Sequence, residues 1–399
     1  MHGNNAETPL WGLLDPGIRP APYPHHRRLR ESGPIHHDPM GAFLLTRHAD
    51  CAALLRDPRF GHGKLVTARP DGSPQAQVGR PFLFLNPPRH TRLRHLVGKA
   101  FAPPAVAMLR PRIERLVAQL LDDAIALGEV DLISTFAYPL PMMMICDLLG
   151  VPTEDHGMLQ QWSHDLAMAF DPDFDFLQPP DILVQRDRAW SAFAEYFLDL
   201  AERRRRRPQA DLISQLTAVE EHGDILSQEE LLNTCELLLV AGHETTVNLL
   251  GNGTLALLRH PDQLDLLRRD PRLAGNAVEE LLRYDSPLQF IARTALTDAQ
   301  FAGRYVLAGE LVIALVAAAN RDPEVFNDPD RLDLARSPGR HLGFGLGIHS
   351  CLGARLARLE GQIALTALAS LPGLALAGEP VYRDNPVLRG PASLPVRLR

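Results

Sequence analysis

The sequence predicts a mainly α-helical fold with a smaller β region, on three observations. Apolar residues recur at helical spacing along most of the chain, strand-like runs are few and short, and one helical pattern is long enough to cross a protein interior. With 45% hydrophobic residues in 399 and a net charge of −7, the chain can bury a large core and is neither disordered nor fibrous. No repeat of solenoid length and no low-complexity linker divides it, and the Pro-rich spots at Pro20–Pro24, Pro87-Pro88 and Pro103-Pro104 punctuate elements without separating compositional halves. One continuous domain is therefore expected over residues 1–399.

From the N-terminus, residues 1–40 read as an extension packing on the β region, and Phe43 to Thr46 as a short strand. Leu109, Ile113, Leu116, Val117, Leu120 and Leu121 fall on one helical face, as do Leu352, Leu356, Leu359 and Ile363. Tyr305 to Ala314 read as strand, turn and strand across Gly309. The longest helix begins at Ser227, where Ser227 and Glu230 form a capping box, and runs to His260 before Pro261. That is about 34 residues, roughly 50 Å at 1.5 Å per residue. Leu237 to Ala241 make its middle apolar nearly all round, as a helix within a protein interior requires.

Several function classes are excluded. The basic run Arg203 to Arg207 follows an apolar-periodic stretch and ends at Pro208, which reads as a solvated helix end and not a nucleic-acid patch. Met1 to Pro16 hold no apolar run of signal-peptide length, and no stretch has the uncharged span of a membrane helix, so the cytoplasm is the expected location. Cys51, Cys146, Cys235 and Cys351 form no C-x-x-C pair, which speaks against a disulfide framework or a structural zinc site.

Cys351 has neighbours the other cysteines lack. Phe344-Gly345-Leu346-Gly347-Ile348-His349-Ser350-Cys351-Leu352-Gly353 is a glycine-punctuated turn that delivers a cysteine just before an amphipathic helix, over residues 341–371. Glycines let the backbone approach a flat cofactor, and N–H groups near a helix N-terminus stabilise a thiolate. A dinucleotide loop fails on spacing, because G-x-G-x-x-G needs glycine where Ile348 or Ser350 stands. In the long helix, Ala241-Gly242-His243-Glu244-Thr245-Thr246 sets an acid beside an alcohol. A zinc protease would need histidine at Val247.

The cysteine segment resembles the F-G-x-G-x-H-x-C-x-G motif of the cytochrome P450 family at every fixed position, and the resemblance runs from about Phe43 to the C-terminus. It implies the P450 fold around a buried haem b (iron protoporphyrin IX), with Cys351 as the iron ligand and Phe344, Gly345, His349 and Gly353 against the cofactor. Glu280-Leu281-Leu282-Arg283 is similar to the family's E-x-x-R pair, and Arg331 resembles the third member of its ion network. His90 and Arg94, after Asn86-Pro87-Pro88 where the family often has Asp-Pro-Pro, resemble its propionate-binding positions, with Arg293 as a further partner. Glu244 and Thr245 match its oxygen-activation motif and are the expected catalytic pair, with His243 read as structural or pocket-lining.

By the same resemblance the substrate pocket would include Val240, Ala241, Leu288, Gln289, Phe290, Ile291, Val387 and Leu388, with variable walls from His62 to Phe84 and Phe170 to Phe176. No fused flavin or iron–sulfur segment is visible, so electrons are expected from a separate ferredoxin and ferredoxin reductase, docking on a basic face of Arg89, Arg92, Lys99, Arg355 and Arg358. The implied activity is insertion of one atom of O2, by hydroxylation or epoxidation, into an apolar or amphipathic small molecule such as a secondary-metabolite intermediate. A peroxygenase, an oxidative-coupling enzyme and a non-catalytic haem sensor stand as alternatives. Glu244-Thr245 argues against the peroxygenase and the sensor, and leaves coupling open.

Overall fold

The computed structural model describes residues 15–38, 41–63, 81–167, 180–218, 220–221, 224–337 and 339–399. Its helices are α1 (Tyr23–Ser32), α2 (His48–Leu54), α3 (Arg89–Gly98), α4 (Pro103–Leu127), α5 (Pro139–Leu149), α6 (His156–Ala167), α7 (Pro180–Arg206), α8 (Leu212–Ala218), α9 (Gln228–Arg259), α10 (Pro261–Arg269), α11 (Ala274–Tyr284), α12 (Val316–Ala319) and α13 (Ala354–Ala369). Helices dominate, so the fold is mainly α with a smaller β region. Among the described residues no helix is long and apolar enough to cross a membrane. The chain gathers into two compact units, one from Met1–Gly61, Leu109–Leu140 and Thr245–Arg399, the other from His62–Met108 and Pro141–Glu244.

The first unit holds a five-stranded sheet. Its strands are β1 (Ile35–His37), β2 (Phe43–Leu45), β3 (Phe60–Gly61), β4 (Ile291–Ala295) and β5 (Leu311–Ala314), in the spatial order β1-β2-β5-β4-β3. Only the β2–β5 pair is parallel, with Leu44 opposite Ile313. One face buries Phe43, Leu45, Phe60, Ala295, Val312 and Ala314 with Cys51 and Leu54 of α2, and Leu346 of the cysteine loop packs against that cluster. The strand, turn and strand expected across Gly309 are present, but the two strands do not pair with each other. Arg304–Val306 pairs instead with Ala299–Phe301 across the tighter Ala302-Gly303 turn, and Gly309, at φ +93°, swings the chain into β5 of the larger sheet.

Helical periodicity translates directly into burial. On α4, Ile113, Leu116, Val117 and Leu121 are all buried. The cap of α9 is reciprocal: the Glu230 N–H donates to Ser227 Oγ at 3.1 Å and the Ser227 N–H to Glu230 Oε2 at 2.9 Å. In the second unit, α7 packs on both α6 and α8, with Phe193 and Phe197 buried at a ring separation of 4.4 Å.

A buried ion network ties α11 to the segment that precedes the cysteine loop. The Glu280 carboxylate accepts from Arg283 Nε at 2.7 Å and Nη2 at 2.8 Å, from the Asp333 N–H at 3.0 Å and from Arg336 Nε at 3.1 Å. Arg283 also donates to the carbonyls of Asn320, Pro329 and Arg331. The third cation is thus Arg336, not Arg331. Arg331 takes part through its main-chain carbonyl, which accepts from Arg283 and Arg336, and its residue is exposed.

Removing one partner of a buried pair leaves an uncompensated charge and costs about 3–5 kcal/mol, a large share of the ~5–15 kcal/mol that holds a domain. Glu280→Ala is therefore expected to yield little soluble, haem-loaded protein, and Arg331→Ala to yield nearly normal amounts. Expression yield and haem content per chain check both.

Candidate active site

The cysteine loop is built on hydrogen bonds that begin outside it. The Leu342 N–H donates to Asn320 Oδ1 at 2.7 Å, and Asn320 Nδ2 donates to Ser286 Oγ at 2.7 Å, so the loop hangs from the residues that Arg283 clamps. Within it, the Gly345 N–H donates to the Leu342 carbonyl and the Cys351 N–H to the Phe344 carbonyl, each at 2.8 Å. Gly345 (φ +64°) and Gly347 (φ +72°) take left-handed conformations that a side chain disfavours. Gly347 has a second reason: a Cβ there would lie 2.2 Å from the Leu55 carbonyl oxygen.

This architecture presents Cys351 differently from the other cysteines. Cys51, Cys146 and Cys235 are all 0% exposed. Burial pushes their thiols upward, that of Cys146 to about 12, so they stay protonated. Cys351 is exposed, three residues before the start of α13, and a Cβ added at Gly353 would meet nothing within 4 Å. An exposed sulfur three residues before a helix N-terminus suits ligation of a metal.

Other side chains of the first unit complete the surroundings. Arg293, on β4, is 6% exposed, and its Nη1 donates to the Ala292 carbonyl at 2.8 Å. Phe344 lies 4.4 Å beneath the Arg358 guanidinium, which donates to Glu279 at 2.6 and 3.0 Å, while His341 Nε2 stands 3.1 Å from the same carboxylate. Burial pulls the Glu279 carboxyl up, but the hydrogen bonds and charges of His341 and Arg358 together outweigh it and hold it at about 2. Leu288 pairs with Leu388 in an isolated antiparallel bridge, and the Gln289 N–H donates to the Val387 carbonyl at 2.8 Å. Gln289 and Phe290 are buried, while Leu288, Ile291, Val387 and Leu388 are partly exposed.

In the second unit, His90 is buried on α3, with Arg94 one turn later and half-buried. Asn86, where the family pattern has Asp, forms a reciprocal clasp: its Oδ1 accepts from the His62 N–H at 2.9 Å and its Nδ2 donates to the His62 carbonyl at 2.8 Å. An aspartate at this position could accept the first of these bonds but not donate the second. Arg92 donates to Glu230 at 2.6 Å, so of the basic residues named from sequence, Arg92 and Arg358 are engaged in ion pairs while Arg89, Lys99 and Arg355 are exposed. The stretches from His62 to Phe84 and Phe170 to Phe176 fall largely or wholly on 64–80 and 168–179, outside the described residues.

Along the middle of α9, Val240 and Glu244 are buried, and Ala241 and Thr245 are partly exposed. His243 is 0% exposed; its Nδ1 lies 2.7 Å from the Leu239 carbonyl and 3.4 Å from Ser163 Oγ of α6, and its Nε2 lies 3.4 Å from Glu244 Oε1. Spacing does not single out Arg336, the Glu279–His341–Arg358 cluster or the Asn86 clasp. Each joins residues far apart in sequence or through the main chain. Only His243 carried a local signal, adjacency to the acid.

The family model described as Cytochrome P450 matches residues 42–370. The chain is 43% identical to the vitamin D(3) 25-hydroxylase of Pseudonocardia autotrophica over 388 residues, 94% of each protein. It superposes with a TM-score of 0.88 on the cytochrome P450 PksS of the Bacillus subtilis 168 bacillaene polyketide synthase, at 39% identity over 97% of this chain and 99% of that one. It also matches P450BioI, solved in complex with hexadec-9Z-enoic acid ligated acyl carrier protein, with a TM-score of 0.87 and 38% identity over 96% and 99% of the two chains. The chain belongs to the cytochrome P450 family. It is an oxidoreductase of the monooxygenase kind, from a family that works with haem, dioxygen, small-molecule substrates and redox partners.

Gly347→Ala should destabilise the cysteine loop, because the left-handed φ alone costs an alanine about 1–2 kcal/mol and the Leu55 carbonyl must also move. The expected outcome is lower haem content and a lower thermal midpoint; Gly157→Ala, at an exposed position of α6 where a Cβ meets nothing within 4 Å, should lower neither. Haem stoichiometry and calorimetry of the two variants check this.

Proposed function

We propose that this protein is a haem-thiolate monooxygenase that inserts one oxygen atom from O2, by hydroxylation or epoxidation, into an apolar or amphipathic small molecule, with Cys351 as the axial ligand of haem b. The observation that carries the reading is the contrast among the cysteines: three are sealed in cores with protonated thiols, and one stands accessible on a glycine loop before a helix. Arg293 and His349, with His90 and Arg94, supply cations and hydrogen-bond donors for the haem propionates, which need such partners when buried. When bound, the haem supplies reductive activation of dioxygen, and a thiolate ligand favours O–O cleavage.

The chain's own residues handle position and protons. Thr245 offers a hydroxyl that can donate and accept at once, and Glu244 offers a carboxyl that can carry a proton into a buried stretch of helix. Leu288, Phe290, Ile291, Val387 and Leu388, in two stretches joined by an antiparallel bridge, offer apolar side chains for substrate in the first unit, and Val240 and Ala241 offer apolar side chains on α9. A secondary-metabolite intermediate fits this lining, and the polyketide and vitamin relatives support that class. Electrons are proposed to come from a ferredoxin and its reductase, meeting the exposed Arg89, Lys99 and Arg355.

Two measurements test this reading. Cys351→Ser is expected to remove the thiolate-type absorption of the reduced carbon monoxide complex, and Cys235→Ser to keep it; the reverse pattern overturns the ligand assignment. With a reconstituted ferredoxin and reductase, Thr245→Ala should load haem normally and release at least about threefold more hydrogen peroxide per NADPH consumed, and Glu244→Gln should slow NADPH turnover on the order of 100-fold. Unchanged peroxide release together with an unchanged rate would reduce the two residues to helix structure.

A further inference from the structure

Arg389 follows Val387-Leu388 in the chain and is 6% exposed, yet its groups reach several separate parts of the first unit. Its guanidinium forms an ion pair with Asp285, just past the end of α11. Nε donates to the Arg19 carbonyl at 2.9 Å and Nη2 to the Pro20 carbonyl at 3.1 Å, both in the segment that leads into α1. The Arg389 carbonyl accepts from Asn252 Nδ2 of α9 at 3.0 Å, and its N–H donates to the Pro287 carbonyl at 2.7 Å. Neutralising Asp285 needs only a cation. Serving two distant segments at once takes the planar fork of an arginine.

The ladder that carries Leu288 and Leu388 is short. Its main-chain hydrogen bonds, from Gln289 to Val387 and from Arg389 to Pro287, flank the Leu288–Leu388 pair. The side chains of such a pair stand close, and successive residues of a strand point to opposite faces, so Arg389 projects from the face opposite Leu388. A two-stranded ladder of this length does not hold itself in place. Toward α9 it is seated tightly, since a Cβ on Gly390 would lie 2.1 Å from Asn248 Oδ1. Toward the N-terminal segment a small cavity intervenes, with Ile18, Arg19 and Pro22 on one side and Gln289, Phe290 and Pro386 on the other. Packing does not set that separation; the guanidinium that spans it does.

We propose that Arg389 is a positioning residue for substrate specificity: by tying the Arg19 and Pro20 carbonyls to the 387–389 stretch, it sets where Leu288 and Leu388 stand and so the shape of the apolar site they line. The N-terminal segment thereby bears on which molecules fit without touching them. The inference rests on the lining role proposed above for Leu288 and Leu388.

The test compares two ligands of the haem-loaded protein through the absorption shift on binding iron. Imidazole is small enough to report on the iron alone, whereas the phenyl ring of 4-phenylimidazole extends into the apolar site. Arg389→Lys keeps a cation beside Asp285 and loses the fork. It should weaken 4-phenylimidazole about tenfold, as a displaced apolar contact does, and imidazole by less than about twofold. Haem content and the reduced carbon monoxide spectrum should match the wild type. Pro20→Gly loosens the anchored segment and leaves every charge in place; it should show the same contrast, with the double variant losing less than the two single losses multiplied. Leu388→Ala checks the lining and should weaken 4-phenylimidazole by itself. Unchanged 4-phenylimidazole affinity in Arg389→Lys and Pro20→Gly, with Leu388→Ala impaired, overturns the positioning role and leaves the lining standing. Leu388→Ala and Leu288→Ala variants as tight as wild type would instead fault the lining, and this inference with it. Equal loss of both ligands, or loss of haem in both Arg389→Lys and Pro20→Gly, would make the arginine a support of the haem site as a whole and also overturn it.

Discussion

One buried carboxylate organises the first unit. Glu280 takes four hydrogen bonds from Arg283, Asp333 and Arg336, and through Arg283 it fixes the carbonyls of Asn320, Pro329 and Arg331. Asn320 in turn holds the Leu342 N–H, two residues before Phe344 of the cysteine loop. A carboxylate removed from water is tolerable only when its oxygens are filled with donors, so every donor is constrained by the others. The loop's geometry is therefore set by an ion network that does not itself contact the cysteine.

How much of this could be read from the sequence depended on whether the information was local. The helices followed from apolar spacing because burial on α4 and α13 is a property of one face. The capping box at Ser227 and Glu230 was legible because both partners sit within one turn. The cysteine loop was legible because its glycines, its thiol and its following helix are contiguous. The identity of the third cation was not: Arg331 and Arg336 are both arginines in one irregular segment, and only the path of the main chain decides which guanidinium faces Glu280. The strand, turn and strand read across Gly309 are present, but their partners were not legible, since alternation announces a strand without naming its partner.

The interior of α9 shows the same division. Its apolar middle explains why it is buried, yet His243 and Glu244 stand in that burial as a polar pair. Desolvating an acid beside leucines is unfavourable unless polar neighbours compensate, and the imidazole of His243 stands 3.4 Å from the Glu244 carboxyl. Sequence adjacency alone could not say whether residues 243 and 244 face each other, because successive side chains on a helix point about 100° apart. The contact depends on the two rotamers and on what Leu239 and Ser163 take from the ring.

The close approach of Gly347 to the Leu55 carbonyl has a consequence in time. The first unit draws on the beginning, the middle and the last part of the chain, and the cysteine loop leans on a residue from the beginning. Such contacts close very long loops and form late, since the chain's entropy must be spent before they contribute. During synthesis the N-terminal stretch must wait for the final portion to emerge, so the residue that would hold iron is among the last to find its place. A newly made chain would pass most of its early life unable to grip its cofactor, and haem supply matters at the close of folding and not at its start.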